Sequence, residues 1–514
     1  MGSSEKVQVL VLHDTGAATS VYRVLPDEDP SHAPGECCPA GGACCGRALL
    51  PLAELGLTES SRVSEETLDR YFSYVQAHYP AHHYLLSMRG HASESGASIN
   101  AGGGQVTVPQ LAGLLAHFTA RRGGKQLEVL NLGMCQTANT DWAYLLAPFI
   151  ETLVGSANYT NPPVAMRWRM HLWVRELLNN PAISARALAG TMVELFANTW
   201  DYCVTAGHLC SNASRGEPWT AVALDASAMK EVAATTRELV CEASLLEDSS
   251  AVRRAVQATA QYGSPGWTRR DVAQFATNLA HEVPGTPLAK RALELREAVE
   301  RAVVAHASEP ATYPTDALGL AGAFLQANAG AGQVGPFQVE SLWRPFLEMS
   351  DGAGFPTASE VRLSPRRLEL MVGDDVEVEA RGFRPEYGEM CRLPGEWTLS
   401  PGAPLSLGSP SLNPAHATAT QPGTGELSFQ GRGLSATAEV VVHAGSESSP
   451  DSGATTGEDS PSPSPTPAGC SSAGGPSALV WVLLACGLLA RWRSSGLAFP
   501  HRRGERENEL SARG

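Results

Sequence analysis

Apolar and polar residues alternate along the first third of the chain in a pattern that predicts strands and helices in turn. Short apolar runs predict strands in KVQVLVLHD, HHYLLSM, KQLEVLNL and FIETLVGSA. Between them, SEETLDRYFSYVQAHYP, VPQLAGLLAHFTA and TDWAYLL carry apolar residues three and four positions apart, as amphipathic helices do, and Ser64 is the expected N-cap of the first. This alternation predicts a mostly parallel sheet with helices on both faces.

The rest of the chain changes character several times. Helical spacing dominates up to residue 350, as in ARALAGTMVELFANTW. Short alternating runs split by Gly and Pro then predict a small β-sandwich, loosely similar to the immunoglobulin-like modules of bacterial surface proteins. The domains expected are an α/β core (1–165), a helical region (166–350), a β-sandwich (360–443), a disordered Ser/Pro/Thr-rich linker (444–475), an apolar segment with following arginines (476–493) and a polar tail (494–514).

The apolar run PSALVWVLLACGLLA in the segment 476–493 bears on localisation. Its length is about fifteen residues, short of the roughly twenty that span a bilayer as a helix. With the preceding Cys470 and the following Arg491 and Arg493, it resembles the C-terminal sorting tags of myxobacterial exported proteins. The alternative is an ordinary transmembrane tail anchor. Both place the protein at the cell surface, in the outer membrane or outside the cell, with the tail contacting the membrane, although MGSSEKVQVLVLHD has no recognisable signal-peptide design.

Composition narrows the classes of partner. The 514 residues exceed what a single core serves, so more than one domain is expected. Apolar residues make up 43% of the chain, enough for a packed interior. The formal charge of −15 argues against nucleic acid as a partner, because no excess of Lys and Arg exists to neutralise phosphates.

Four of the eleven cysteines lie in one short loop, ECCPAGGACCG. They are Cys37, Cys38, Cys44 and Cys45. Disulfides in a surface loop of an exported protein are the favoured interpretation, and Cys203 with Cys210 is a candidate for a further bridge. The alternative is a metal or redox centre, although zinc sites more often use two CxxC pairs.

A lone cysteine, Cys135, stands between a predicted strand and a predicted helix in LNLGMCQTANTDWAYLL. It is either a buried space-filler or a nucleophile. Nucleophilic catalysis by cysteine needs a thiolate, a nearby base and donors for the developing oxyanion. His91 follows the neighbouring predicted strand and is the candidate base. Because ligands bind outside the carboxyl ends of the strands in such sheets, both residues are expected at one cleft.

Several segments occur together in an order that resembles the clostripain-like cysteine peptidases, relatives of caspases and gingipains. They are YLLSMRGHAS, VTVPQLAGLL and LEVLNLGMCQTANTDWAYLLAPFIETLVGSAN, and the resemblance covers roughly residues 5–345. In that family one strand ends in His-Gly, and a later strand ends in Asp-Ala-Cys before a helix. The resemblance implies a caspase-like α/β core, His91 as general base, Cys135 as nucleophile, and the N–H groups of Ala92 and Cys135 as an oxyanion hole.

Two departures from the family bear on specificity. Ala92 stands where the family has Gly, and Gly133 stands where it has Asp. That Asp helps line a pocket for a basic side chain, and the region of a second family acid, SANYTNPPVAM, contains no Asp or Glu. An Arg side chain in a closed pocket needs a paired charge. We therefore expect an uncharged residue at P1, the position before the scissile bond, and a substrate pocket at Gly133, Ser156 and Asn158.

Together these features predict an exported or surface-tethered cysteine endopeptidase that acts on protein or peptide substrates through a His91–Cys135 dyad. The two departures support an alternative, a catalytically degraded peptidase fold kept as a surface binding or adhesion module. No metal site or cofactor is predicted from the spacing of the residues. Calcium is implied only by the resemblance, because some members of the family depend on it.

Overall fold

The structure is a computed structural model of the chain. It describes residues 3–14, 18–26, 47–92, 98–101, 104–158, 170–205, 218–263, 269–310, 312–323, 335–350, 355–444 and 481–486. The loop with the four clustered cysteines, the pairing of Cys203 with Cys210, nearly all of the linker and the polar tail lie outside this description.

The described helices alternate with strands through the first 350 residues. The helices are α1 (Glu65–His78), α2 (Val108–Arg121), α3 (Thr140–Leu146), α4 (Met170–Asn179), α5 (Ala185–Thr205), α6 (Met229–Ala243), α7 (Ser250–Ala258), α8 (Val272–Glu282), α9 (Pro287–Ala302), α10 (Pro336–Glu340) and α11 (Trp343–Ser350).

The strands fall into a first group up to residue 323 and a second group after residue 360. The first group is β1 (Val7–Asp14), β2 (Thr19–Val24), β3 (Arg47–Leu49), β4 (His83–Arg89), β5 (His91–Ala92), β6 (Ser98–Ala101), β7 (Gly104–Thr107), β8 (Leu127–Gly133), β9 (Ile150–Gly155), β10 (Thr220–Asp225), β11 (Arg269–Asp271), β12 (Val303–Ser308) and β13 (Ala321–Ala323). The second group is β14 (Glu360–Ser364), β15 (Arg367–Met371), β16 (Asp375–Arg384), β17 (Gly388–Arg392), β18 (Glu396–Leu399), β19 (Leu405–Leu407), β20 (Ala415–Ala419), β21 (Gly423–Gly431), β22 (Leu434–His443) and β23 (Trp481–Cys486).

A nine-stranded sheet combines eight strands from the first 308 residues with β23, in the order β3-β2-β1-β23-β4-β8-β9-β10-β12. Its five central strands are parallel, and the two strands at each edge are antiparallel. A larger apolar cluster, with α1, α2, α3, α6, α8 and α9, covers one face, and a smaller cluster with α4 and α5 covers the other. The prediction of a mixed α/β fold whose sheet is flanked by helices is confirmed.

Strand β8 illustrates why the sheet is buried on both faces. All seven of its residues are buried. Leu130 and Leu132 belong to the larger apolar cluster, whereas Val129 belongs to the smaller one, because successive side chains of a strand point to opposite faces. A near-continuous apolar run is the sequence pattern of such a strand.

The apolar segment expected to anchor the chain has a different position in the structure. Residues Trp481–Cys486 form β23, which pairs in parallel with β1 on one side and β4 on the other. An uninterrupted apolar run suits a strand inside a parallel sheet as well as a membrane span, so the sequence pattern alone does not separate the two. No helix within the described ranges is long and apolar enough to cross a membrane. Membrane association through residues 476–493 is therefore not supported.

Residues 360–443 form two sheets around a separate apolar core. One sheet has the order β14-β16-β20-β19, with β17 also paired to β16, and the other has the order β15-β22-β21-β18. Trp397 and Phe429 contact each other edge to face in this core, with ring centroids 5.0 Å apart.

A disulfide joins this β-rich unit to the helical layer of the large sheet. It links Cys241 in α6 to Cys391 in β17 across 150 residues of sequence. Beside it, the guanidinium of Arg237 donates hydrogen bonds to the backbone carbonyls of Glu340, Glu389 and Met390. The two units are therefore fixed to each other by a covalent bond and by a cation that bridges both chain segments.

Near the start of β8, the carboxylate of Glu128 connects β8 to β4, the two strands that lead to the candidate site. Its side chain is 3% exposed. It accepts hydrogen bonds of 2.8 Å from the Tyr84 backbone N–H and from Arg122, and the Lys125 Nζ lies 3.1 Å away. Burial alone would raise the pKa of Glu128, but these hydrogen bonds and charges together hold that pKa below its usual value.

Replacing Glu128 with Gln should lower the free energy of unfolding by about 3 kcal/mol at neutral pH, because the Arg122 charge would remain buried without its partner. A depressed folded-state pKa stabilises the protein above the unfolded-state pKa, and this contribution is lost as the pH falls through the folded-state value. Urea unfolding at a series of pH values should therefore show wild type and variant converging in acid. Equal stabilities at neutral pH would contradict the assigned role of Glu128.

Candidate active site

The pairing of β4 with β8 brings His91 and Cys135 to one edge of the sheet. The two strands are adjacent and parallel, and Arg89 pairs with Gly133 at their carboxyl ends. His91 lies two residues beyond Arg89, and Cys135 lies two residues beyond Gly133. Since adjacent strands are about 4.8 Å apart, the two residues leave the sheet side by side. His91 is exposed and Cys135 is partly exposed, so both are accessible from solvent.

Gly90 turns the chain between β4 and His91. Its φ of 154° lies in a region that residues with a Cβ rarely adopt. Beyond it, His91 pairs with Asn100, and Ala92 pairs with Ile99, in a small antiparallel sheet made by β5, β6 and β7. His91 is therefore held at this edge of the large sheet by a small sheet of its own.

On the other strand, the residue after Cys135 has a strained backbone. Gln136 has a φ of 55°, which is uncommon for a residue other than glycine. Its N–H donates to the carbonyl of Asn158 at 3.0 Å, and its carbonyl accepts from the Asn139 Nδ2 at 2.7 Å. The Asn139 Oδ1 also caps α3 by accepting from the Trp142 N–H at 3.0 Å. These bonds fix the turn that presents Cys135.

Thr137 and Ala138 stabilise the same turn through contacts with β8 and with the end of β9. Its Oγ1 donates to the carbonyl of Leu132 at 2.9 Å, and the Ala138 N–H donates to the carbonyl of Ser156 at 3.0 Å. Gly155 allows this close approach, because a Cβ there would lie 2.6 Å from the Thr137 Oγ1. The turn is packed against the end of β9 with no room for a side chain between them.

The N-terminus of helix α3 has a weaker electrostatic effect on Cys135 than the sequence suggests. It begins at Thr140, so residues 136–139 separate the helix from the cysteine, and it has only seven residues. The field of a helix terminus falls off within about one turn. The terminus of α3 therefore adds little to the electrostatic field at Cys135. The assignment of the Ala92 and Cys135 N–H groups to an oxyanion hole stays a prediction.

Two of the three residues predicted to form a substrate pocket have buried side chains with internal partners. The Ser156 Oγ lies 3.0 Å from the Thr220 Oγ1. Asn158 donates from Nδ2 to the Tyr313 hydroxyl at 2.6 Å, and its Oδ1 accepts from the Gly263 N–H at 2.8 Å. These contacts join β9 to β10 and to the segments behind it. Direct substrate contact by Ser156 and Asn158 stays a prediction.

The third pocket residue, Gly133, accommodates an arginine that the sequence analysis does not single out. A Cβ on Gly133 would lie 1.4 Å from the Nη1 of Arg89, so the guanidinium occupies the space that a side chain would fill. The same Nη1 is 3.5 Å from the Asn131 Oδ1. Burial lowers the pKa of Arg89 to about 9, which leaves the group charged at neutral pH. The only sequence signal is an Arg and a Gly at matching strand ends, which becomes informative once the register is known.

A metal site would require several His, Cys, Asp or Glu side chains close together in the described part of the chain. There, no three or more His, Cys, Asp or Glu side chains are grouped to hold a metal ion. Calcium is implied by the resemblance alone, and the described residues contain no such group of side chains for it. No chemical step is assigned to calcium.

Comparison with known proteins gives distant structural likenesses. No protein-family model matches the chain, and no curated protein matches it. An inactive zymogen of a C11 protease from Parabacteroides distasonis is 16% identical over 61% of this chain and 80% of its own, with a TM-score of 0.41. A secreted C11 cysteine protease from Bacteroides thetaiotaomicron, solved with an irreversible peptide inhibitor, is 15% identical over 65% and 89%, with a TM-score of 0.44.

A solved domain named IG27 is 20% identical over 17% of this chain and 99% of its own, with a TM-score of 0.12. The Parabacteroides and Bacteroides structures are those of clostripain-like (C11) cysteine proteases. At these identities and TM-scores, none of the likenesses assigns an activity, a substrate or a site residue to this chain.

Substituting Gly155 with Ala should destabilise the protein by about 1–3 kcal/mol, because the new methyl group would overlap the Thr137 hydroxyl. It should also disturb the turn at Cys135, which iodoacetamide alkylation of Cys135 under native conditions would detect as an altered rate. Gly113→Ala is the matched control, since Gly113 lies inside α2 with open space around it. That variant should gain about 1 kcal/mol and keep the wild-type alkylation rate. Equal behaviour of the two variants would contradict the packing described for the turn.

Proposed function

We propose that the chain is a cysteine endopeptidase in which His91 is the general base and Cys135 the nucleophile. The observation that supports this most is the β4–β8 register, which brings one histidine and one cysteine to neighbouring points of the same sheet edge. Cys135 takes part in no disulfide and is partly exposed, as a nucleophile has to be. The rigid turn around Gln136 would hold the sulfur in one position.

The chemistry would proceed in two stages. His91 takes the proton of the Cys135 thiol, and the sulfur attacks the carbonyl carbon of the scissile peptide bond. The oxyanion that forms would accept hydrogen bonds from the Ala92 and Cys135 N–H groups. Imidazolium then gives its proton to the leaving amine as the carbon–nitrogen bond breaks. A water molecule, deprotonated by His91, hydrolyses the thioester and releases the acid product.

A basic P1 residue is not expected to be preferred. The guanidinium of Arg89 fills the space beside Gly133, two residues before the nucleophile, so no acidic side chain at position 133 could line a pocket for Lys or Arg there. The segment after β9, SANYTNPPVAM, also contains no Asp or Glu. The substrates would therefore be peptides or proteins whose P1 side chain carries no positive charge.

Hydrolysis of quenched fluorescent peptides should depend on both members of the dyad. Cys135→Ala should abolish turnover, and His91→Ala should lower kcat/KM by about 10²–10⁴-fold because the proton transfers lose their base. His117→Ala is the control, since His117 lies on α2 with its side chain 68% exposed. It should retain wild-type kcat/KM. A well-folded wild type that hydrolyses no peptide would instead favour the alternative function, a binding or adhesion module.

We also propose that the protein is exported. The support is the Cys241–Cys391 disulfide, because such bridges persist in oxidising compartments and are rare in the cytosol. Non-reducing peptide mapping of the protein isolated from its native cells should recover the two cysteines in one linked peptide. Recovery of both as free thiols, alkylated at the moment of lysis, would contradict export.

A further inference from the structure

The segment that follows β9 holds the turn at Cys135 through a backbone hydrogen bond. The carbonyl of Asn158 accepts from the Gln136 N–H at 3.0 Å. This N–H belongs to the residue directly after Cys135, whose φ of 55° is the strained point of the turn. Because the peptide group between residues 135 and 136 is planar, holding its N–H restrains the backbone from which the Cys135 side chain projects. The place of the Asn158 carbonyl therefore bears on the place of the sulfur.

Three segments that are distant in sequence bind the side chain of Asn158. Its Nδ2 donates to the Pro218 carbonyl at 2.9 Å and to the Tyr313 hydroxyl at 2.6 Å, and its Oδ1 accepts from the Gly263 N–H at 2.8 Å. The residue is 2% exposed. Both N–H groups of the amide are used inside the protein, so the amide has none left to donate to a substrate. The side chain is arranged to hold its own backbone in place.

Buried contacts beyond Tyr313 make its hydroxyl a fixed partner. The rings of Tyr313 and Tyr262 lie with their centroids 5.1 Å apart, and the Tyr262 hydroxyl donates to the Asp271 Oδ2 at 2.7 Å. The same carboxylate oxygen accepts from the Gly319 N–H at 2.8 Å. All three side chains are buried. Since buried side chains are close-packed and transmit displacements, Asn158 is bound to a rigid array rather than to one movable hydroxyl.

The same array reaches the turn from its other side. Ala321 lies two residues beyond Gly319, and its N–H donates to the Ala138 carbonyl at 3.1 Å. The turn is therefore held at Gln136 by Asn158 and at Ala138 by the segment after Gly319. A strained residue persists when the surrounding structure holds it on both sides, and loss of one support lets it relax.

We propose that Asn158 is a positioning residue, whose side chain fixes the backbone carbonyl that holds the turn of the nucleophile. This inference rests on the proposed peptidase function. It assigns Asn158 an action through the turn in place of the substrate contact expected from the sequence. Without the amide, the carbonyl of Asn158 is released, Gln136 relaxes from its positive φ, and the sulfur moves relative to His91. A shift of about 1 Å at a reacting atom lowers turnover by about 10²-fold.

Asn158→Ala tests the inference through the separation of kcat from KM in the hydrolysis of quenched fluorescent peptides. We expect kcat to fall by about 10–100-fold and KM to stay within about twofold of wild type, because the sulfur moves and the groups that bind the substrate do not. Circular dichroism at the assay temperature should show that the variant is folded.

Asn413→Ala is the matched control, in the β-rich unit. The Asn413 amide likewise donates two hydrogen bonds, to the carbonyls of Ala380 and Leu393, and accepts one, from the Ala380 N–H. Its removal should lower the urea midpoint of unfolding about as much as Asn158→Ala does, and should leave kcat and KM of the folded enzyme unchanged.

Tyr313→Phe is a second variant, which removes one oxygen from the array and keeps the ring packed. It should lower kcat by about three- to tenfold without raising KM, since one hydrogen bond to the Asn158 amide is lost. This variant decides the matter if Asn158→Ala does not fold.

The outcomes separate this inference from the function on which it rests. A raised KM with unchanged kcat in Asn158→Ala would show a direct contact with the substrate and overturn the inference. Wild-type kcat in Asn158→Ala and Tyr313→Phe, or an equal loss of kcat in Asn413→Ala, would overturn it as well. In each of these cases Cys135-dependent hydrolysis by wild type still supports the peptidase. Absence of any Cys135-dependent hydrolysis by wild type contradicts the proposed function and the inference with it.

Discussion

The register between β4 and β8 is the constraint on which the site depends. With Arg89 opposite Gly133, the next residues along each strand are the ones that carry the candidate chemistry. A slip of one residue would turn every side chain of a strand to the other face, so Leu130 and Leu132 would leave the larger apolar cluster and the fit of Arg89 against Gly133 would be lost. At the other end of the strand pair, Glu128 binds the backbone of Tyr84 and so fixes the same register from the start of the strands.

Strain and hydrogen bonding are coupled in the turn that follows β8. A positive φ at Gln136 costs of order 1–3 kcal/mol. The Asn139 amide and the Thr137 hydroxyl offset this cost by bonding to carbonyls on either side of Cys135, and Gly155 leaves the space that the turn requires. Catalysis by a thiolate depends on a fixed sulfur position, so a turn held in this way suits a nucleophile better than a flexible loop would.

Short sequence patterns predicted the helix cap, the order of strands and helices, and the places of the candidate site residues along the chain. The N-cap at Ser64 was predictable because a Ser directly before an amphipathic segment commonly caps a helix. In the structure its hydroxyl accepts from the Thr67 N–H, three residues along, and α1 follows directly. The alternation of strands and helices, and the positions of His91 and Cys135 after two strands, were likewise visible as short patterns. Each of these features depends on residues close together in the chain.

Features that depend on distant residues were not predictable in the same way. The disulfide joins cysteines 150 positions apart, and nothing in their flanking residues marks them as partners. Arg89 acquires its position from a missing side chain on another strand, so neither residue carries the signal alone. The apolar run at 481–486 suits either a membrane span or a strand inside a parallel sheet. Only its pairing with β1 and β4, which are distant in sequence, shows that it is a strand.

The most direct test of the central claim is covalent labelling with peptide acyloxymethyl ketones that carry acidic, uncharged or basic P1 residues, followed by peptide mapping. The account predicts one adduct on Cys135 in wild type, none in Cys135→Ala, and a much slower reaction in His91→Ala. The mapping also distinguishes a nucleophile from an accessible thiol, because iodoacetamide should still label Cys135 when His91 is absent. Folded wild-type protein that no probe labels, or an adduct on any residue other than Cys135, would contradict the assignment of a His91–Cys135 peptidase.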